Sequence, residues 1–400
     1  MWILTIFIIL AAIILWCILD FHFGRKAFVR TAYRRDYQKR HSDMELISTG
    51  PAFFERLFAD IKEANTSIHC LFYIVENDHL GRQFLDLLQQ KAREGVEVRL
   101  LMDRLGSFKI KKKMVKELED NGIAVYFAEK PKLPYLFFST QQRNHRKITV
   151  LDGEIGYLGG YNVGKAYIDE DPKLSPWRDY HMRIVGEGTS DLQREFGVDW
   201  KRATGEDIIN KPDYFPADLK KGAMEHRFFP SEGFKIESQF VQFITNAKKS
   251  IFIGTPYFIP SEEVLDALVK ALNRGIKVTI VSPEKPDHPL VKEASFKYFR
   301  KLIPLGAEIY HYQTGFYHSK LIILDDEFCD LGTANFDLRS FYVNLELNNF
   351  TYTQSFVDEV RKEVQKDIEG SKKLSLEQLN SVSIFTRFKE GIASMVSILL

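Results

Sequence analysis

The sequence predicts an α/β protein built by duplication: two layered α/β domains of one design, behind a single membrane-spanning helix at the N-terminus. Three observations carry that prediction. Helices and strands alternate along the body of the chain, the alternation recurs in its second half, and an uninterrupted apolar run occupies Trp2 to Leu19.

Composition sets the bounds. The chain has 400 residues, 45% hydrophobic and 27% charged, the profile of a folded protein of about two to three domains. Lys+Arg number 55 against 54 Asp+Glu, a net charge of +1. A dedicated nucleic-acid binder shows a basic excess, so no nucleic-acid partner is expected. Cys17, Cys70 and Cys329 lie in apolar runs and form no CxxC pair, which argues against a disulfide framework and a thiolate zinc site.

The first element is the apolar run. Its 18 residues include one polar side chain, Thr5, and at about 1.5 Å per residue they reach across nearly the whole of a ~30 Å hydrocarbon core. No basic residue precedes the run, no small-residue cleavage site follows it, and Trp16 stands before Cys17 where a lipoprotein box has none. A retained anchor over residues 1–20 is therefore expected, rather than a cleaved signal. Residues 21–45 read as a basic juxtamembrane linker: Arg25, Lys26, Arg30, Arg34, Arg35, Lys39 and Arg40, opposed before residue 41 only by Asp20 and Asp36. The positive-inside rule then puts the body on the cytoplasmic side of the membrane. The same cluster suits anionic headgroups, and it also suits a plain stop-transfer flank.

The body follows. Helical spacing runs from Phe53 to Ala64, a buried strand from Ser67 to Val75, a helix from Leu80 to Arg93 closed by Gly95, and a strand from Val96 to Met102. The second copy has a helix from Phe240 to Lys249, a strand from Ser250 to Phe258, a helix from Glu262 to Asn273 closed by Gly275, and a strand from Ile276 to Val281. Gly122-Ile123 before Tyr126 and Gly306-Ala307 before Tyr310 also correspond. The two units are placed at residues 46–205 and 232–370, with a connector at 206–231 and a tail at 371–400.

One residue string occurs in both units. His145, Lys147, Asp152, Gly159 and Asn162 in the first match His318, Lys320, Asp325, Gly332 and Asn335 in the second, at identical spacing. The residues between Lys and Asp are nearly all apolar, as in a buried strand. Side chains two apart on a strand share a face, so each histidine projects with its lysine.

The doubled string resembles the HxKxxxxD signature of the phospholipase D superfamily. Arg143-Asn144-His145-Arg146-Lys147, Trp177-Arg178-Asp179 and Asn335-Phe336-Asp337-Leu338-Arg339-Ser340 are similar to its bacterial cardiolipin synthases. The resemblance covers residues 46 to 365. It implies two α/β sandwich domains related by a pseudo-twofold axis, one shared active site, no metal and no cofactor. Many such synthases carry two N-terminal spans; one span fits a shorter, minor type. The implied reaction moves a phosphatidyl group between two phosphatidylglycerols and releases glycerol. Phosphatidylglycerol, other anionic phospholipids and the membrane are then the expected partners.

The chemistry suits the residues. A neutral imidazole is a nucleophile near neutral pH, and a second, protonated one serves a leaving alkoxide. The resemblance assigns His145 as nucleophile and His318 as acid/base, with the reverse open by symmetry. Lys147, Lys320, Asn162 and Asn335 are the expected ligands of the non-bridging phosphate oxygens. Asp152 and Asp325 complete the catalytic string and are expected to brace the loops after their strands. The imidazoles need orienting carboxylates. Glu346, 28 residues after His318, stands where the family often has one; the same step from His145 reaches Lys173, and Asp179 takes the role in the first half. Asp337 and Arg339 are read either as an ion pair near the site or as structural.

Other signals are weaker. Gly159 to Lys165 has the spacing of a phosphate loop, but Ala166 stands where a hydroxyl is needed. His181 and His311 read as structural and His69 as a strand-face residue. Leu133 to Phe138 is either a packed loop or a lip dipping into the bilayer. The tail from Val382 to Leu400 spaces Ile384, Phe385, Phe388, Ile392, Val396 and Leu399 nearly helically, as an interfacial helix or one packed on the domain. A phospholipase D or another phosphatidyltransferase would use the same catalytic residues, and a tethered nuclease or an inactive lipid-binding scaffold are the readings from other classes.

Overall fold

The computed structural model describes residues 2–400. Helix α1 (Trp2–Thr31) is continuous over 30 residues, so it runs past the expected anchor and carries Arg25, Lys26 and Arg30. No residue of its most apolar stretch is buried inside the protein. Its last turns dock, with Asp20 and Gly24 buried.

The first half comprises β1 (Arg40–Ile47), α2 (Gly50–Glu63), β2 (Ser67–Phe72), α3 (His79–Arg93), β3 (Glu97–Asp103), α4 (Lys112–Asp120), β4 (Ala124–Ala128), α5 (Leu136–Gln141), β5 (Ile148–Leu151), β6 (Ile155–Gly159), β7 (Trp177–Arg178), β8 (His181–Gly186) and α6 (Gly188–Thr204). The second comprises β9 (Met224–Glu232), α7 (Ile236–Asn246), β10 (Ser250–Gly254), α8 (Glu262–Asn273), β11 (Lys277–Pro283), α9 (Val291–Leu302), β12 (Glu308–Tyr312), β13 (Phe316–Tyr317), β14 (Leu321–Leu324), β15 (Phe328–Gly332), α10 (Leu338–Tyr342), β16 (Leu345–Thr351) and α11 (Gln354–Glu369). The short β17 (Ser371–Lys373), then α12 (Leu376–Asn380) and α13 (Ile384–Met395), complete the chain.

Both halves feed one sheet of 15 strands. From one edge it runs β4-β3-β2-β5-β6-β8-β1, and from the other, inside β17, it runs β12-β11-β10-β14-β15-β16-β9. The two orders are the same series, so the sheet is pseudo-symmetric about the junction where β1 meets β9 antiparallel, with Arg40 opposite His226. The junction strands lie in segments expected to be linker and connector. β1 (RHSDMELI) and the start of β9 (MEHR) carry few apolar residues. Their ladders on both sides, rather than their hydrophobicity, make them strands. The repeat therefore begins earlier in each half than the apolar pattern suggests.

Elsewhere local chemistry decides. In β2 all six side chains are buried. Ile68, Cys70 and Phe72 enter one core and Leu71 the other, because helices cover both faces. The parallel pairing of β2, β3 and β4 needs crossovers, which α3 and α4 supply. Asp78 caps α3 by accepting the Gly81 N–H, and Ser261 caps α8 from the Val264 N–H. Gly95 and Gly275 follow those helices at φ +94° and +83°, the left-handed stop that glycine permits.

The two ambiguous segments pack in part. In the segment before the first motif, α5 buries Phe138 and Ser139 and leaves Leu136 exposed, and its cover is the anchor helix. The Phe138 N–H donates to Asp20 Oδ1 at 2.7 Å, and the rings of Phe21, edge-on, and Phe28, tilted, lie 5.6 and 5.9 Å from that of Phe138. Leu133 stays exposed. In the tail, α13 packs on α9 through Arg300–Glu390 (2.5 Å) and buried Ala393, yet leaves Ile384, Phe385, Phe388 and Met395 exposed.

Candidate active site

Each histidine-lysine string enters the sheet from an extended approach, and that approach pairs with the other half of the molecule. The Leu345 N–H donates to Arg143 O and the His145 N–H to Leu345 O, at 2.9 and 3.0 Å. On the symmetric side β13 pairs in parallel with β7, and the His318 N–H donates to Arg178 O at 2.7 Å. The residue after Leu345 is Glu346 and the residue after Arg178 is Asp179. Each histidine thus lies beside the acid of the opposite half.

The dyads follow from this. His145 Nδ1 is 2.9 Å from Glu346 Oε2, and His318 Nδ1 is 2.6 Å from Asp179 Oδ2. This corrects the expected pairing within each half: Glu346 holds the first histidine and Asp179 the second. Both acids are almost fully buried, Glu346 at 0% and Asp179 at 1% exposure. Glu346 also accepts from Thr333 Oγ1 (2.6 Å), Ser340 Oγ (3.0 Å) and Asn344 Nδ2 (3.2 Å). The sequence reading missed these three; all lie within the run that ends at Glu346. Among the described residues, no second protein group bonds His145 at Nε2.

Strand alternation separates the motif's own residues. Lys147 returns to the His145 carbonyl at 2.7 Å, and Lys320 lies against the His318 ring, 2.6 Å from Nδ1 and 3.1 Å from Nε2, and 3.5 Å from Asp179. Arg146, between His145 and Lys147, points the opposite way. There it is fully buried against Asp199, Glu195 and Glu232, carboxylates shared with Arg35 and Arg202. The linker residue Arg35 is thereby tied to the backbone of the first motif.

Both histidines, Asn162 and Asn335 line one cavity of about 470 Å³, with Tyr73, Trp177, Tyr257, Arg143 and Arg339 among its other walls. Asn162 accepts from the Ile74 N–H, and Asn335 donates to Asp337. Asp152 and Asp325 stand elsewhere and leave the catalytic set. At φ +54° and +55°, each sits in a turn. Asp152 accepts the N–H groups of Asn65, Thr66 and Ser67; Asp325 accepts those of Lys248, Lys249 and Ser250. They brace the helix-to-strand joints, as expected of their loops. Asp337 caps α10 through the Ser340 N–H and makes no ion pair with Arg339. His69 bonds Gln193 and His311 bonds Glu284, both away from the dyads.

Burial governs the charges. Desolvation pushes His145 down to about 4, against the pull of Glu346, and His318 down to about 3, with Lys320 adding to the fall. Their lysines are likewise lowered by burial, Lys147 strongly. Asp179 and Glu346 stay below their ordinary values because the histidines and lysines outweigh burial. At neutral pH both imidazoles are therefore neutral, with Nδ1–H directed at a carboxylate. That sets the tautomer of His145 and leaves its Nε2 lone pair free for the cavity, which His318, Asn162 and Asn335 also line.

Comparison with known proteins places the chain in a family. Residues 57–173 and 240–368 match the family described as "Cardiolipin synthase, PLD-like domain". The chain is 39% identical over 398 residues to the minor cardiolipin synthase ClsB of Bacillus subtilis, covering 100% of this chain and 98% of that one. It is 39% identical over 365 residues to a cardiolipin synthase of Staphylococcus aureus, covering 90% and 74%. Among solved structures it superposes on phosphatidylserine synthase of Haemophilus influenzae with a TM-score of 0.73 at 15% identity, covering 94% and 100% of the two chains. That last likeness speaks to the fold.

Proposed function

This chain belongs to the cardiolipin synthase family of phospholipase D-like proteins, and we propose that its two crossed dyads carry phosphatidyl transfer between phosphatidylglycerols through a phosphohistidine. It is a phosphatidyltransferase of the cardiolipin synthase kind. His145 Nε2 attacks the phosphorus of the first lipid and forms a P–N bond. The P–O bond to glycerol breaks, and His318 gives its proton to the departing alkoxide, so glycerol leaves neutral. The hydroxyl of the second lipid then returns a proton to His318 as its oxygen attacks phosphorus. The P–N bond breaks, His145 is restored, and the product carries two phosphodiesters.

Lys147, Lys320, Asn162 and Asn335 hold the non-bridging oxygens, where a dry site makes their charge and dipoles count most. The entering phosphodiester anion is the counter-charge that lets His318 carry a proton against burial. Glu346 and Asp179 orient the rings and stabilise the cationic imidazoles. The single observation that carries this reading is the convergence of both dyads on one cavity.

The apolar part of α1 anchors the chain in a membrane. The basic residues after it support a cytoplasmic body in a bacterial cell membrane. The docking of α1 supports delivery of lipid from the bilayer. Its end packs on α5, and Arg25 donates to Tyr342 O at 3.3 Å, so the helix abuts the segments flanking Arg143 and Arg339.

Lipid analysis of the purified enzyme in phosphatidylglycerol vesicles tests the reading, with wild type beside His318→Ala. Cardiolipin and free glycerol are expected from wild type alone. Phosphatidic acid without cardiolipin, or full activity in the variant, would overturn it.

A further inference from the structure

Two guanidinium groups in the cavity have no part in the chemistry above. Arg143 and Arg339 line the same walls as His145 and His318. The buried or nearly buried arginines Arg35, Arg99, Arg146 and Arg178 are all held by carboxylates. Arg143 and Arg339 are not. Arg143 donates to the carbonyls of Gln142 (2.5 Å) and Thr140 (2.6 Å), and Arg339 to those of Gln141 (2.6 Å) and Leu399 (3.2 Å). A carbonyl is a dipole and leaves the cation's charge in place.

The acids nearby make no ion pair with either arginine. Asp103 spends its oxygens on the N–H groups of Leu105, Gly106 and Asn144, and Asp337 on Ser340 and Asn335. Both carboxylates act on Arg339 only from a distance, and they raise it less than burial and the Arg143 charge lower it. Two guanidinium groups with no carboxylate in contact, in the wall of one cavity, suit a phosphate.

The phosphate undergoing transfer already has two lysines and two asparagines. We propose that Arg143 and Arg339 form a second phosphate subsite, which holds the phosphodiester of the acceptor lipid while its free hydroxyl reaches the phosphohistidine. The proposal rests on the synthase reading and names what that reading leaves open, the recognition of the acceptor. It also fits the product, whose two phosphodiesters stand one glycerol apart. The subsite lies where α1 docks, beside α5 and α10, the side from which bilayer lipid arrives. The Arg339–Leu399 bond is the contact that a phosphate oxygen replaces.

The test is partition between acceptors. Full-length enzyme in phosphatidylglycerol vesicles with added ethanol makes cardiolipin from the anionic acceptor and phosphatidylethanol from the neutral one. Glycerol release reports the first half-reaction. For Arg143→Gln and for Arg339→Gln the ratio of cardiolipin to phosphatidylethanol is expected to fall by about 10-fold or more, the scale of a lost charge-assisted pair. Lysine at either position restores most of the ratio. Loss of both products in equal proportion, or an unchanged ratio, overturns the subsite. Wild type that releases glycerol and forms phosphatidylethanol but no cardiolipin overturns the synthase reading itself.

Discussion

Glu346→Gln and Asp179→Asn separate the two halves of the catalytic cycle, because each acid serves a different histidine. A soluble phosphodiester with a nitrophenolate leaving group needs little help from a general acid, so its first half-reaction reports the nucleophile alone. Glu346 accepts the His145 N–H at 2.9 Å in a site with 0% exposure. A buried charge-assisted hydrogen bond is worth about 1.5–3 kcal/mol. Glutamine also permits the wrong tautomer and withdraws the charge facing the nascent phospho-imidazolium. Together these cost about 3–5 kcal/mol, or roughly 10²–10⁴-fold in the rate of nitrophenolate release. The Asp179 partner is His318, which acts on the oxygen that leaves or enters. Asp179→Asn should keep a burst near one nitrophenolate per site and then stall, with the phosphoryl group recovered on His145 by mass spectrometry. Stopped-flow absorbance reads both phases. A burst abolished by Asp179→Asn and spared by Glu346→Gln, with the wild-type phosphoryl group on His145, would show that each acid serves the histidine of its own half and would refute the crossed assignment; the same pattern with the phosphoryl group on His318 would instead reverse the two histidines' roles.

Three further outcomes follow from the same geometry. Burial lowers His69, His145 and His226 to about 4 and His181 and His318 to about 3. The unfolded chain takes up protons near its ordinary histidine value of about 6.5, so the stability these residues contribute is full above that pH and is lost as pH falls through the folded values; the melting temperature should drop steadily between pH 7 and pH 4. A Cβ on Gly160 would stand 2.1 Å from Asp179 Oδ1, so Gly160→Ala should move that carboxylate and slow turnover by about 10²-fold, on the scale of an impaired general acid, with the nitrophenolate burst retained. Asp152→Ala and Asp325→Ala each release three backbone N–H groups; calorimetry should show a loss of about 2–3 kcal/mol in stability, while the ratio of cardiolipin to phosphatidic acid stays unchanged.

The duplication, the anchor and the catalytic string were legible because each is written in local pattern. Apolar periodicity marks α8 (Glu262–Asn273) to the residue, and glycine after a helix marks its stop. A repeated spacing of histidine, lysine and asparagine needs no coordinates to be seen. The junction strands were not legible: β1 and β9 owe their conformation to ladders with partners far along the chain. The tail also escaped pattern, since α13 is apolar on two faces and only packing shows which of them meets α9.

Sequence by itself marked the repeated histidines, lysines and asparagines as candidates for chemistry; tertiary structure alone decided which of them lie together. Glu346 lies 201 positions from His145, and Asp179 lies 139 from His318. Spacing within a strand or helix carries no information about a contact of that span. The contact arises because each motif's approach strand pairs with the opposite half, and that pairing also brings Arg143 and Arg339 to one wall of the cavity. A hydrogen-bond ladder between halves is a property of the folded sheet, so the crossed dyads and the arginine pair in the cavity wall exist only once the sheet has closed.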